Sequence, residues 1–198
     1  MLLVGRNASL FTRQVAIWCA MQDRAIDRAE LSTSADAEAL TAYHPACRVP
    51  VLVCDDGTRL IETFAICDWL DETADKKRMI PAAGIARRDC LQRIALMKLA
   101  GDKLVALFGA KARQSEDAHL SKLRAQIRIG FEMLEARAPA EGFLGGTAPD
   151  GSDITLVCAW QMVAFMDEDM TAEGLPRLSA IVSLALSIPA IAETNPNQ

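Results

Sequence analysis

The sequence predicts an α/β unit followed by an all-helical unit, and three observations carry that prediction. Short apolar runs of strand length, each closed by a turn signal, occur only before Glu72. A breaker-rich stretch, Asp75 to Gly84 (DKKRMIPAAG), then interrupts the chain. Everything beyond it repeats apolar residues at helical spacing. Of the 198 residues, 51% are apolar and 5% aromatic, which provides a sizeable core in which helices pack through small side chains.

Leu2–Gly5 is the first strand, broken by Arg6–Ser9, and a helix follows over about Thr12–Gln22 with Val15, Ala16, Cys19 and Ala20 on one face. Ile26–Leu31 alternates as a second strand, and Ser32–Ser34 is a cap-like break before a short helix at Ala35–Thr41. Val51–Cys54 and Arg59–Ile61 form a hairpin around Asp55-Asp56-Gly57, and Thr63–Glu72 is a helix bearing Ile66, Cys67, Trp69 and Leu70. The order is β-α-β-α-β-β-α. Later helices are expected at Ala82–Ala112, at Glu116–Ala136 with Ser115 as cap and Leu120, Leu123, Ile127, Phe131 and Leu134 as seam, from Asp153, and at Leu178–Leu186. The expected domains are 1–75 and 83–198.

Several function classes are excluded. The net charge is −5 and there is no basic stripe, which argues against a nucleic-acid partner. Six dispersed cysteines without C-x-x-C read as reduced, mostly buried thiols. With only His44 and His119 as imidazoles, no zinc spacing occurs and no metal is expected. Arg6 and Arg13 interrupt the N-terminal apolar run, so it does not read as a signal peptide, and no apolar segment reaches membrane-spanning length. A cytoplasmic protein is expected, with no membrane partner.

The stretch RVPVLVCDDGTRLIETFAICDWLDE, Arg48 to Glu72, contains two chemically open places. Pro50 cannot donate to a sheet ladder, so it marks a strand start or an edge. Glu62 and Thr63 stand where the N–H groups of a helix start lack partners. Thr63 as a simple N-cap and Glu62 as a solvated strand end would account for them structurally.

The motifs together resemble the cytosolic glutathione S-transferase family over almost the whole chain. They are Val49-Pro50-Val51-Leu52, Asp56-Gly57, Glu62-Thr63-Phe64-Ala65-Ile66, Asp150-Gly151-Ser152-Asp153-Ile154 after FLGG, Pro176, Leu178 and Pro189-Ala190. Ser9-Leu10-Phe11-Thr12-Arg13-Gln14-Val15 resembles the S-P-F-x-R-x-V loop of many bacterial, serine-type members, with Leu10 replacing the usual proline. The resemblance implies a thioredoxin-like glutathione-binding domain and a C-terminal helical bundle that supplies the electrophile pocket and dimer interface.

It also implies roles. The Val49–Pro50 bond would be cis, instead of an ordinary trans edge proline, and would expose the Val49 backbone to an extended tripeptide. Thr63 and the helix N-terminus would receive the γ-glutamyl carboxylate, and Glu62 would face the α-amino group. Arg48 would meet the glycine carboxylate, or be a solvated loop arginine. Ser9 would donate its hydroxyl to the glutathione thiolate as the catalytic residue, or be only the cap of the first helix. Thr12, Asn7 or backbone N–H groups compete for that role. Lowering a thiol pKa by about 2 units requires roughly 2.7 kcal/mol, within reach of one charge-assisted hydrogen bond plus a helix dipole. His44 is expected to be structural or solvent-facing, not catalytic. Asp150 and Asp153 read as a helix-start box, Trp18, Trp69 and Trp160 as core or domain-interface residues, and Phe108 with the Met162–Met170 segment as core or pocket lining.

The expected function is a glutathione transferase, with glutathione as co-substrate and a small apolar electrophile or peroxide as its target, in a homodimer joined through the long helices. The alternative is a non-catalytic glutathione-binding or regulatory protein of the same fold.

Overall fold

The elements, in chain order, are β1 Leu2–Val4, α1 Leu10–Met21, β2 Asp27–Ala29, α2 Ala37–Thr41, β3 Val51–Val53, β4 Arg59–Ile61, α3 Thr63–Glu72, α4 Gly84–Ala112, α5 Asp117–Glu135, α6 Gly151–Met166, α7 Asp169–Ala172, α8 Pro176–Leu186 and α9 Pro189–Ala192. This computed structural model describes residues 1–75, 77–166 and 169–195. The chain divides into two compact units, one comprising Met1–Ile80 with Ile188–Gln198, the other Pro81–Ser187. The thioredoxin-like order and the helical region are both present. Residues 188–195, read from sequence with the helical part, pack with the first unit.

In the first unit the sheet order is β2-β1-β3-β4, with β1 parallel to β2 and antiparallel to β3, and β3 antiparallel to β4. Leu3 stands opposite Leu52, and Val4 opposite Val51. Strand side chains alternate between faces. Val4 and Val51 therefore share one face, where they pack on Leu40 of α2. Leu3 and Leu52 share the other, covered by α1 and α3, which bury Ile17, Trp18, Ile66 and Leu70. Each such side chain contributes about 2 kcal/mol on leaving water.

Two buried polar groups tie this unit together. The Asp71 carboxylate on α3 accepts from Trp18 Nε1 at 2.9 Å, Gln22 Nε2 at 2.7 Å, and the N–H groups of Met79 and Ile80 at 3.0 and 2.6 Å. It joins α1, α3 and the segment leaving α3, and its donors offset the cost of burying a charge. Arg13, 1% exposed, donates Nε to the Thr194 carbonyl at 2.9 Å and Nη2 to the Ile191 carbonyl at 3.3 Å. These carbonyls close the end of α9, where a cation is favoured.

In the second unit, α4 packs on α5 and α6, and α8 packs on α5 and α6. Gly130 of α5 lies against Ala100 of α4, so small residues set the approach of the two long helices. The expected seam of α5 is present, with Leu123, Ile127, Phe131 and Leu134 buried and Leu120 half-buried. Phe131 meets Trp160 edge to face at 5.7 Å. Trp18 is core, whereas Trp69 and Trp160 are half-buried. Helix α5 is preceded by Glu116, which makes no side-chain cap, so the Ser115 cap is not formed. Phe108 is 59% exposed and so is not core; residues 167–168 of the Met162–Met170 segment lie outside the described residues.

The start of α6 is a reciprocal capping box. Asp150 Oδ1 accepts from the Ser152 N–H at 2.7 Å, and Asp153 Oδ2 accepts from the Asp150 N–H at 2.9 Å. Asp153 also takes the N–H groups of Leu144 and Gly145, which anchors the preceding Gly-rich loop. Arg93 of α4 donates to Asp150 Oδ2 at 2.8 Å and to Ser152 Oγ at 2.9 Å.

Burial pushes the Asp153 carboxyl up to about 6, against the pull of these N–H donors. A raised carboxyl pKa favours the protonated native state. Asp153 therefore contributes stability that is full below its ordinary value near ~3.9 and lost as pH rises through about 6. We expect a carboxyl carbon titration by NMR to place the Asp153 midpoint near 6, two units above an ordinary aspartate; a midpoint near ~4 would show that the N–H bonds outweigh burial.

Candidate functional site

The register of the sheet gathers the candidate residues at one end. Val51 pairs with Val4 on one side and with Ile61 on the other. Continuing past those pairs, β1 runs into Gly5–Ser9, β3 is entered from Arg48–Pro50, and β4 runs into Glu62–Thr63. All three segments therefore leave the same end of the sheet. Helices α1 and α3 both start there, so two helix N-termini and their positive dipole ends point toward it.

The Val49–Pro50 peptide bond is cis. Pro50 is buried and Val49 half-buried. Among the described residues, neither the N–H nor the C=O of Val49 makes a hydrogen bond. The ladder begins only at Val51. A donor and an acceptor thus stand open at the strand entrance, spaced to pair with an extended chain.

Opposite lies the N-terminus of α3. Its first helical bond runs from the Ile66 N–H to the Glu62 carbonyl. Glu62 makes no side-chain cap, and the N–H groups of Thr63, Phe64 and Ala65 have no partner among the described residues. The half-buried Thr63 hydroxyl has none either, so Thr63 is the first residue of the helix and not its N-cap. Glu62 takes φ +68°, a conformation costing about 1–3 kcal/mol in a non-glycine residue. It turns the chain sharply from strand to helix and leaves the Glu62 side chain exposed.

Ser9 is the N-cap of α1. Its Oγ accepts from the Thr12 N–H at 3.4 Å, a long bond, and the hydroxyl proton stays free to donate. The cap and donor roles are therefore compatible. The competitors are placed differently. Thr12 is fully buried and its Oγ1 has no partner, closed in beside Gly5 and Val49. Asn7 Oδ1 accepts from Arg28 Nη2 at 2.9 Å. Arg48 is exposed, and its guanidinium makes no hydrogen bond or ion pair among the described residues. His44 Nδ1 accepts from the Ala46 N–H at 3.0 Å, a local turn contact consistent with a structural histidine.

Two residues at this end were not singled out by sequence reasoning. Gly5 has φ +125°, and a Cβ there would lie 2.5 Å from Thr12 Oγ1 and 3.0 Å from Val49 Cβ. It permits α1 and the Val49 segment to close on the loop. Arg28 reaches from β2 to the same loop. A glycine directly after an apolar strand run was a usable signal; nothing in the sequence marked Arg28.

None of the six cysteines is in a disulfide, and Cys19, Cys67, Cys90 and Cys158 are buried. Burial pushes the Cys19 thiol up to about 11 and the Cys90 thiol to about 12, so neither supplies a thiolate near neutral pH. Among the described residues, no group of His, Cys, Asp and Glu is placed to hold a metal ion, and no helix is long and apolar enough to cross a membrane.

A thioredoxin-like domain with a cis-proline strand entrance, joined to a helical region, defines the class. Residues 3–78 match the family model of the glutathione S-transferase N-terminal domain. Residues 3–78 therefore belong to that N-terminal domain family, and the whole chain shares the fold of solved glutathione S-transferases. Similar solved structures include a family member from Pseudomonas fluorescens Pf-5 with bound glutathione, 26% identical over 98% of each chain at a TM-score of 0.86. A glutathione S-transferase from Methylobacillus flagellatus KT with glutathione bound is 20% identical over 98% of each chain, with a TM-score of 0.89. A maleylacetoacetate isomerase from Methylobacterium extorquens AM1 with malonate and glutathione bound is 23% identical, over 99% of this chain and 96% of the other, with a TM-score of 0.84. No curated protein matches the sequence.

Substituting Gly5 by alanine is expected to lower stability by about 2 kcal/mol, through the positive φ and the Thr12 clash. Denaturant unfolding of Gly5→Ala checks this; a loss under about 0.5 kcal/mol would mean that the loop relaxes freely.

Proposed function

We propose that this protein is a glutathione-dependent transferase whose thiol-activating group is the Ser9 hydroxyl. One observation carries the reading. The unpaired Val49 backbone and the unpaired N-terminus of α3 meet at one end of the sheet, in a domain of a family whose solved relatives hold glutathione.

The tripeptide backbone pairs with Val49 as an added strand. Its γ-glutamyl carboxylate takes the Thr63 hydroxyl and the free N–H groups of α3, where the helix dipole favours an anion. The α-amino group faces the Glu62 carboxylate, and the unpaired Arg48 guanidinium takes the glycine carboxylate. The thiol then lies over the start of α1. The free Ser9 proton donates to sulfur, and with the α1 N-terminus it favours the thiolate over the thiol. Ser9 forms no covalent bond. The sulfur electron pair attacks an electrophilic carbon, and the displaced group leaves with that carbon's bonding pair, or a proton is taken up where addition occurs.

In this proposal the second unit selects an apolar electrophile and joins two chains as a homodimer. Exposed Leu99, Val105 and Phe108 on α4, and Ile129 and Met133 on α5, support an apolar contact surface. The mainly buried thiols, none of them in a disulfide, fit a reducing, cytoplasmic setting, where glutathione is at hand.

Thr63→Ala is expected to weaken glutathione binding about tenfold by calorimetry while the thermal transition is kept. Ser9→Ala is expected to slow turnover of a chlorodinitrobenzene-type electrophile at least tenfold with a smaller change in affinity. Equal binding by the first variant would reduce Thr63 to a helix start. An undiminished rate in the second would move activation to the α1 backbone. A protein that binds glutathione but turns over no electrophile would be a binding or regulatory member of the family.

A further inference from the structure

The β1–α1 loop carries the proposed thiol-activating hydroxyl, yet its backbone is nearly free of regular bonds. Within it, the Ser9 N–H reaches the Arg6 carbonyl at 3.0 Å, and the strand ladder ends with the Gly5 N–H on the Ala29 carbonyl at 2.9 Å. The Arg6 side chain makes only long contacts of 3.3 Å, to the Glu30 carbonyl and the Asp36 carboxylate. The short tie comes from Arg28 on β2. Its Nη2 donates to the Gly5 carbonyl at 3.0 Å and to Asn7 Oδ1 at 2.9 Å.

Arg28 is a costly way to hold a strand that the sheet already holds. Its Nε is buried without a hydrogen-bond partner. Its one carboxylate neighbour, Glu30, stands at 3.5 Å and is itself largely exposed. Burial lowers the affinity of the guanidinium for its proton, opposed by Glu30. A half-desolvated cation with neutral acceptors is a poor source of stability. What its bonds do is fix the carbonyl of Gly5 and the side chain of Asn7, the two fixed points between the strand and the Ser9 cap.

We propose that Arg28 is a positioning residue for thiol activation: by clamping Gly5 and Asn7 it holds the loop in the one arrangement that aims the Ser9 hydroxyl at the glutathione sulfur. The inference rests on the placement of the thiol at Ser9. It assigns Arg28 no contact with glutathione. Its loss therefore acts on the sulfur and spares the Val49 and Thr63 contacts that hold the tripeptide.

The test is the thiol pKa of bound glutathione, read from thiolate ultraviolet absorbance against pH as a difference with and without glutathione, beside the calorimetric Kd. Arg28→Gln is expected to raise the bound thiol pKa by about one unit, a tenfold loss of thiolate at fixed pH, while Kd stays within about threefold. Arg28→Lys, which keeps a cationic donor, is expected to fall between wild type and Arg28→Gln. A bound thiol pKa in Arg28→Gln equal to that of wild type overturns the proposal. So does a Kd that weakens as much as the thiolate fraction falls, because the loop would then serve the whole site. If Arg28→Gln does not fold, Asn7→Ala, which removes one of the two clamped acceptors, decides in its place: a smaller rise supports the proposal and an unchanged value overturns it. Failure of the underlying reading is separate and visible in the wild-type protein, as glutathione bound with its ordinary thiol pKa or not bound at all.

Discussion

The registration of Val51 between Val4 and Ile61 is the constraint on which the rest of the site depends. A slip of one residue would turn Val51 from the Leu40 face toward α1 and α3, and would exchange it with Leu52. Both faces are buried, so the sheet holds that register firmly. The same register brings Val49 level with Thr63 and brings Gly5 against Val49. Core packing thus places the open groups, and no loop has to find its position independently.

Those open groups run against folding economy. Three N–H groups at the start of α3, the Val49 backbone and the exposed Glu62 backbone at φ +68° all leave interactions unmade or conformations strained. Arg28 and Thr12 add buried polar atoms without partners behind them. Elsewhere in the same unit polar groups are well served. Asp71 has four donors, and the Arg13 guanidinium closes the end of α9. Unmet bonding capacity is concentrated at one end of the sheet, where a zwitterionic peptide of complementary pattern would satisfy it. The capping box of Asp150 and Asp153 in the second unit shows the opposite economy, with the Asp150 and Ser152 N–H groups both paired locally.

Much of this was legible in the chain. The pattern placed the strands and helices to within a few residues, because the apolar run at Val51–Val53 and the helical spacing at Thr63–Glu72 are local properties. Pro50 and Glu62-Thr63 announced open backbone for reasons intrinsic to those residue types. The part that escaped is long-range. Arg28 reads as an ordinary polar residue in a weak strand, and its reach to Gly5 and Asn7 exists only once β2 lies beside β1. Asp71 and Arg13 look like surface charges on amphipathic helices, and become buried only through α1, the segment after α3 and the C-terminal turn. Sequence reading favoured Ser9 and left Thr12 and Asn7 as competitors. Burial of the Thr12 hydroxyl and the Arg28 bond to Asn7 separate them.

We propose that the Val49 edge and the α3 N-terminus together receive the glutathione backbone. The most direct test is amide NMR of the protein titrated with glutathione, followed by hydrogen exchange of the saturated complex. The Val49, Thr63, Phe64 and Ala65 amides are expected to shift in concert with one dissociation constant, and their exchange to slow on saturation. Saturable binding that leaves these four amides unmoved would contradict this proposal, and would place the ligand elsewhere on the fold.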